Sequence, residues 1–200
     1  MLENRDFTII IDKSGSMGTS DVRGKSRWEA AQESTQAIAS GVEKYDPDGL
    51  TLYTFSGSFK RYDNVTAMKV KDVFAENSPM GSTALHLVLR DALLDVEKRK
   101  KAGNSKANGD LIIVVTDGEP DDKNAVAQEI IRASKTMDRD EELAILFAQV
   151  GNDAGAQKFL KSLDDDLQGK GAKFDIVDTI TFDEMENKTL TEVLINAIND

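Results

Sequence analysis

Apolar residues gather into five short runs, at 7–11, 50–55, 111–115, 143–150 and 174–177. The first, third and fifth are nearly continuous, the pattern of strands covered on both faces in a parallel sheet. The run at 50–55 is mixed and leads through Ser56-Gly57-Ser58 into Phe59-Lys60-Arg61-Tyr62. So short a glycine-containing turn joins antiparallel strands, which predicts an edge strand over 59–63. Helical periods fill the intervals. Trp28, Ala31, Thr35, Ile38 and Val42 step by three and four, and Ser26-Arg27-Trp28-Glu29 ahead of them is a capping box that marks the helix start. Leu85, Val88, Leu89, Ala92 and Val96 make a second stripe, Val126, Ile130, Ala133 and Met137 a third, and Ala156, Leu160, Leu163 and Leu167 a fourth. A weaker helix is predicted over 70–76. A last one starts at the capping box Thr189-Leu190-Thr191-Glu192 and runs through Val193, Leu194, Ala197 and Ile198.

Strands alternating with amphipathic helices specify βαβ units and right-handed crossovers. The expected fold is α/β: a doubly wound, mostly parallel six-stranded sheet in the order 3-2-1-4-5-6, with one antiparallel edge strand and helices on both faces. No internal repeat or low-complexity linker interrupts the chain, so residues 1–200 are expected to form a single domain.

Composition narrows the function classes. With 200 residues, 40% of them hydrophobic and 30% charged, the chain can build a sizeable core. The 25 Lys and Arg against 36 Asp and Glu leave a net charge of −11, a field that repels nucleic-acid phosphates and anionic lipid. The single His removes metal sites built on several imidazoles, and the absence of Cys removes disulfides, thiolate zinc sites and thiol nucleophiles. Neither a basic leader followed by a long apolar stretch nor a run of about twenty apolar residues is present. From these features the chain is expected to be cytoplasmic, to bind neither nucleic acid nor membrane, and to be a monomer in isolation.

Two strands end in an acid. Ile9-Ile10-Ile11-Asp12 continues into Lys13-Ser14-Gly15-Ser16, and Val114-Val115-Thr116-Asp117 continues into Gly118-Glu119-Pro120. Between them, Pro79-Met80-Gly81-Ser82-Thr83-Ala84 feeds a helix. Ligands of doubly wound sheets collect at the carboxyl ends of strands where the strand order reverses, and in the order 3-2-1-4-5-6 both acids lie there. Asp12, Ser14, Ser16, Thr83 and Asp117 would then present two carboxylates and three hydroxyls. Such a set of hard oxygen donors suits Mg²⁺, with Mn²⁺ or Ca²⁺ as alternatives, and disfavours zinc or copper. Neutral hydroxyls leave much of the ion's charge uncompensated, which keeps a position open for a carboxylate from elsewhere.

Asp12-Lys13-Ser14-Gly15-Ser16, Gly81-Ser82-Thr83 and Thr116-Asp117-Gly118 together resemble the metal-ion-dependent adhesion site of von Willebrand factor type A domains. The resemblance extends over the whole chain. It implies that Ser14, Ser16 and Thr83 offer hydroxyls to a divalent ion and that Asp12 and Asp117 hold it largely through water. A Glu or Asp of a partner protein would complete the shell, giving metal-dependent protein binding without turnover chemistry and with no catalytic residues. The strand at 143–151, Leu163-Asp164-Asp165-Asp166-Leu167 and Phe174-Asp175-Ile176-Val177-Asp178 resemble intracellular bacterial members associated with tellurite resistance and stress operons.

Other features have plainer readings. Glu119, Asp121 and Asp122 suit the start of a helix, and Lys98-Arg99-Lys100-Lys101 a solvated helix end. The loop at 19–25 serves equally as a connector or as a lip that reads a partner. Trp28 is expected in the core, His86 as an ordinary helix residue, and Asp46-Pro47-Asp48-Gly49 as a turn; Asp178, Asp183, Glu184 and Glu186 lack the spacing of a calcium loop. The alternative function is Mg²⁺-dependent phosphoryl transfer with Asp12 as nucleophile. That chemistry wants a second acid where Ser14 stands, and a serine nucleophile would have only His86 as base. A third possibility keeps the ion as a purely structural element.

Overall fold

The computed structural model describes residues 1–199. In chain order its main elements are β1 (Asp6–Asp12), α1 (Arg27–Val42), β2 (Leu50–Phe55), β3 (Phe59–Val65), α2 (Val70–Ala75), α3 (Leu85–Lys101), β4 (Asp110–Thr116), α4 (Lys123–Ser134), β5 (Leu143–Gln149), α5 (Ala154–Asp166), β6 (Val177–Thr181), α6 (Phe182–Met185) and α7 (Leu190–Asn196). The strands form one six-stranded sheet in the order β3-β2-β1-β4-β5-β6. Only β3 runs antiparallel, against β2. This is the mostly parallel, Rossmann-like arrangement expected from the alternation of strands and helices.

Strand alternation sorts side chains between two cores. Ile9 and Ile11 of β1, Leu111, Ile113 and Val115 of β4, and Leu146 of β5 share one face with residues of α1, α2 and α7. Ile10, Ile112, Val114, Ile145 and Phe147 point the other way, into a core completed by α3, α4 and α5. Every residue of β4 and β5 is buried, which explains why their sequences show no polar alternation. Trp28 packs on Phe74, with ring centroids 4.4 Å apart, on the first of these faces. The capping boxes at Ser26 and Thr189 both form.

Several expectations need correction. The last strand spans Val177–Thr181 rather than 174–177. It lies at the sheet edge with only Val177 and Ile180 fully buried, so its polar residues disguised it, while the apolar Phe174 packs beside the strand against the second core. The edge strand β3 extends to Val65. Helix α6 was not foreseen; its four residues carry no apolar stripe, although Thr181 and Glu184 form a capping box. The basic cluster at the end of α3 is a solvated helix end only at Lys98 and Lys101, which are exposed. Arg99 pairs with Asp95 and Asp110, and lies 3.6 Å from Asp6. Lys100 reaches Glu142 at 2.6 Å. These pairs belong to a charged layer at the amino edge of the sheet, where Lys106 meets the buried Asp46 at 2.5 Å and Arg5 donates to the carbonyls of Asp110 and Glu141. Burial in that layer pushes the Asp110 carboxyl up to about 6 and the Arg5 guanidinium down to about 10. Among the described residues, no helix is long and apolar enough to cross a membrane.

Candidate metal centre

Parallel pairing of β1 with β4 sets Ile11 opposite Val115, so the two strands end side by side. Asp12 closes β1 with no exposed surface, and its carboxylate is shared between two donors. The Ser14 N–H donates to Oδ1 at 2.7 Å, and the Thr116 hydroxyl donates to Oδ2 at 2.7 Å. Beyond Asp12 the chain turns through a short 3-10 helix, Gly15–Gly18, anchored by the fully buried Met17. That turn sets the hydroxyls of Ser14 and Ser16 3.1 Å apart. The Ser16 hydroxyl donates to Oδ1 of the fully buried Asp117 at 2.9 Å. Asp12, Ser14, Ser16 and Asp117 are therefore linked in one hydrogen-bonded chain, through the Ser14 backbone N–H and the two serine hydroxyls, that climbs from two buried acids to the exposed Ser16.

Thr83 reaches this edge on a separate loop. The Gly15 N–H donates to the Gly81 carbonyl at 3.1 Å and the Met80 N–H to the Lys13 carbonyl at 2.7 Å, docking the loop on the serine turn. Gly81 takes φ +83°, a conformation that suits glycine, as the loop passes Ser56. Thr83 is clamped from the other side by Asp121, whose carboxylate accepts the Thr83 N–H at 3.0 Å and whose N–H donates to the Thr83 carbonyl at 2.9 Å. Among the described residues, the Thr83 hydroxyl is not part of the hydrogen-bonded chain linking the other four.

The electrostatics favour a cation. Burial is the main cause that pushes the Asp12 carboxyl up to about 6; the Ser14 and Thr116 hydrogen bonds oppose it, and the negative charge of Asp117 adds to it. Oxygen donors alone line the site, which fits a hard divalent ion and offers nothing to a soft one. Among the described residues no group of three or more His, Cys, Asp or Glu converges. This follows from a donor set in which only two members are acids.

Sequence reasoning missed three roles. Arg27 had been read only as part of a capping box, yet its Nη1 donates to Asp117 Oδ2 at 2.8 Å, while Nε and Nη2 grip Asp21 at 2.9 and 2.6 Å. A cation at the first residue of a helix opposes the macrodipole, and that was the available signal of a special partner. Asp121 clamps Thr83, leaving the cap of α4 to Asp122, which accepts the Ala125 N–H at 2.9 Å. Thr116 is the donor to Asp12. Glu119 pairs with Lys123, in keeping with its plain reading at a helix start. His86 sits half-buried in the first turn of α3, and its Nδ1 is enclosed without a hydrogen-bond partner.

Comparison with known proteins places this geometry. The family profile of the von Willebrand factor type A domain matches residues 7–119. No curated protein matches the chain. Among solved structures, the manganese-loaded TRAP protein of Plasmodium vivax is similar over 92% of this chain and 70% of its own, at 16% identity and TM-score 0.57. The conserved hypothetical protein BatB of Bacteroides thetaiotaomicron is similar over 98% of this chain and all of its own, at 15% identity and TM-score 0.60. The pilus adhesin SpaC of Lactobacillus rhamnosus GG is similar over 98% of this chain, at 13% identity and TM-score 0.65; the chain spans 31% of SpaC. At such identities the likeness is one of fold.

These matches correct the finer resemblance to intracellular tellurite-resistance members, and with it the cytoplasmic location. They run instead to proteins such as a pilus adhesin and TRAP. The physical reason is that a sheet buried on both faces by two apolar cores is held without disulfides, so a chain lacking Cys carries no mark of a reducing compartment.

Proposed function

The chain belongs to the von Willebrand factor type A domain family, and from that premise we propose that residues 1–200 act as a single, non-enzymatic, metal-dependent protein-binding module. The ion is a hard divalent cation, Mg²⁺ first, with Mn²⁺ and Ca²⁺ also suited to the donors. Ser14, Ser16 and Thr83 supply hydroxyls to it. Asp12 and Asp117 supply negative charge, largely through water, since both oxygens of Asp12 already accept hydrogen bonds from Ser14 and Thr116. Bound there, the ion offers a Lewis-acidic position to a Glu or Asp carboxylate of a partner protein. The observation that carries this reading is the hydrogen-bonded chain Asp12–Ser14–Ser16–Asp117, drawn from two strand ends and surfacing at Ser16.

The phosphoryl-transfer alternative gains nothing from the geometry. Both Asp12 oxygens are committed to donors at full burial, a poor setting for a nucleophile. Among the described residues, no hydrogen bond joins His86 to Ser14 or Ser16 to activate either hydroxyl.

Calorimetric titration with Mg²⁺ and Mn²⁺ tests the proposal. Saturable binding is expected for the native sequence and loss of it for Asp12→Ala, with the sheet still folded by circular dichroism. Unchanged titration in Asp12→Ala, or no saturable binding by the native chain, sinks it.

A further inference from the structure

Among the described residues, Arg27 is the one basic side chain seen bonding to a residue of this hydrogen-bonded chain, and it does so from an unfavourable place. As the first residue of α1 it sits at the positive end of the helix dipole. Its side chain is only 13% exposed, and Gly151 packs its backbone against the guanidinium: with φ +78°, a Cβ at that position would come within 2.6 Å of the Arg27 Nε. Two carboxylates hold the guanidinium in this narrow space. Asp21, on the loop before α1, takes Nε and Nη2 in a two-pronged pair. Asp117 takes Nη1. The two oxygens of Asp117 are thus divided, Oδ1 to the Ser16 hydroxyl and Oδ2 to Arg27.

We propose that Arg27 sets the cation affinity of this site, pairing with Asp117 and thereby competing with a divalent ion for that buried carboxylate. The inference rests on the metal-binding reading given above and adds its regulation. Asp12 and Asp117 alone would offer two negative charges. Arg27, its positive charge shared between Asp21 and Asp117, occupies Oδ2 of Asp117, so an incoming divalent ion meets that carboxylate partly offset and with one oxygen engaged. A bare ion is then held weakly, and an acidic partner that brings a carboxylate restores the missing charge. Arg27 so couples retention of the ion to arrival of the partner.

The test is the Mg²⁺ dissociation constant of the full chain by calorimetry, for the native sequence, Arg27→Gln and Arg23→Gln. Arg23 lies in the same loop region and pairs with Glu186 at 2.6 Å, so its loss changes net charge equally without touching Asp117. Arg27→Gln is expected to bind Mg²⁺ at least tenfold more tightly, and Arg23→Gln to stay within about twofold of the native chain. Equal or weaker binding by Arg27→Gln, with the native chain binding, overturns the role of Arg27 and leaves the metal site standing. Equal tightening in both variants also overturns it, because general charge would then account for the effect. No saturable binding by the native chain overturns the metal-binding reading itself. A second measurement needs no variant: the Arg27 guanidinium nitrogen resonances of the native chain are expected to shift on Mg²⁺ saturation. Resonances that stay unmoved as the metal binds overturn the proposal.

Discussion

Replacing Thr116 by Val removes one hydroxyl and almost nothing else. Thr116 is 1% exposed, in the last position of β4, and its hydroxyl is one of two donors to a carboxylate with no exposed surface. Valine keeps the branched shape and the strand propensity, so the change isolates a hydrogen bond to a buried charge. Such a bond is worth about 1.5–3 kcal/mol, against about 0.5–1.5 kcal/mol for a neutral one. For a chain of this size each kcal/mol moves the melting temperature by about 2–4 °C, so a drop of about 3–12 °C is expected at pH 7.5.

The loss is also expected to depend on pH, with a definite sign. Burial holds the folded Asp12 carboxyl at about 6, above its unfolded value of 3.8, so folding takes up a proton in that window and stability falls as pH rises through it. Losing the Thr116 donor pushes the folded value higher still. The difference between Thr116→Val and the native chain is therefore full above pH 7 and shrinks as pH falls through about 6, where Asp12 is protonated in both and only the neutral bond remains to be lost. Urea unfolding in EDTA at pH 7.5 and pH 4.5 measures this. An equal loss at both pH values refutes the charge-based account, and a variant as stable as the native chain at pH 7.5 refutes the hydrogen bond's contribution altogether.

Two further substitutions probe the frame of the fold, one at the amino edge of the sheet and one at the start of α1. Gly109→Ala sets a Cβ 2.0 Å from the Glu142 carbonyl oxygen at a residue with φ +75°, and strain with overpacking is expected to cost about 2–5 kcal/mol; a urea midpoint within error of the native value refutes it. Ser26→Ala removes the acceptor of the Glu29 N–H and half of the capping box of α1, for a loss of about 1 kcal/mol that a thermal melt resolves and that an unchanged midpoint contradicts.

What could be read from the sequence divides along a physical line. β1 and β4 were legible because burial on both faces leaves nearly continuous apolar runs, β5 as the apolar run at 143–150, and α1 and α7 because a capping box is a local device; the same reading failed for the run at 174–177. β6 was misplaced because an edge strand is only partly covered: Val177 enters one core and Ile180 the other, with polar residues mixed through Val177-Asp178-Thr179-Ile180-Thr181. The same division runs through the candidate site. Asp12, Ser14, Ser16 and Asp117 could be grouped because topology alone sends both strand ends to one edge. Arg27, Asp121 and Thr116 could not, since each acts on a residue 90, 38 or 104 positions away and had a sufficient local explanation as helix start or strand end. Only Arg27 broke a local rule, a cation where the helix dipole favours an acid.

The way the loops are joined bears on what an ion would contribute. Gly15 to Gly81, Met80 to Lys13, Ala84 to Ser56 and Asp121 to Thr83 are backbone hydrogen bonds, and together they fasten the serine turn, the Thr83 loop and the start of α4 to one another. Met17 plugs the turn from below with no exposed surface. The ordering entropy of these segments is thus met during folding of the chain itself. An ion with no loops left to gather has little structural work to do, which weighs against a purely structural role. Its free energy is instead available for the carboxylate it meets, because a preorganised site loses little on binding. Arg27 fits the same logic: in a frame already rigid, affinity is adjusted by one charge placed on Asp117 rather than by moving a loop.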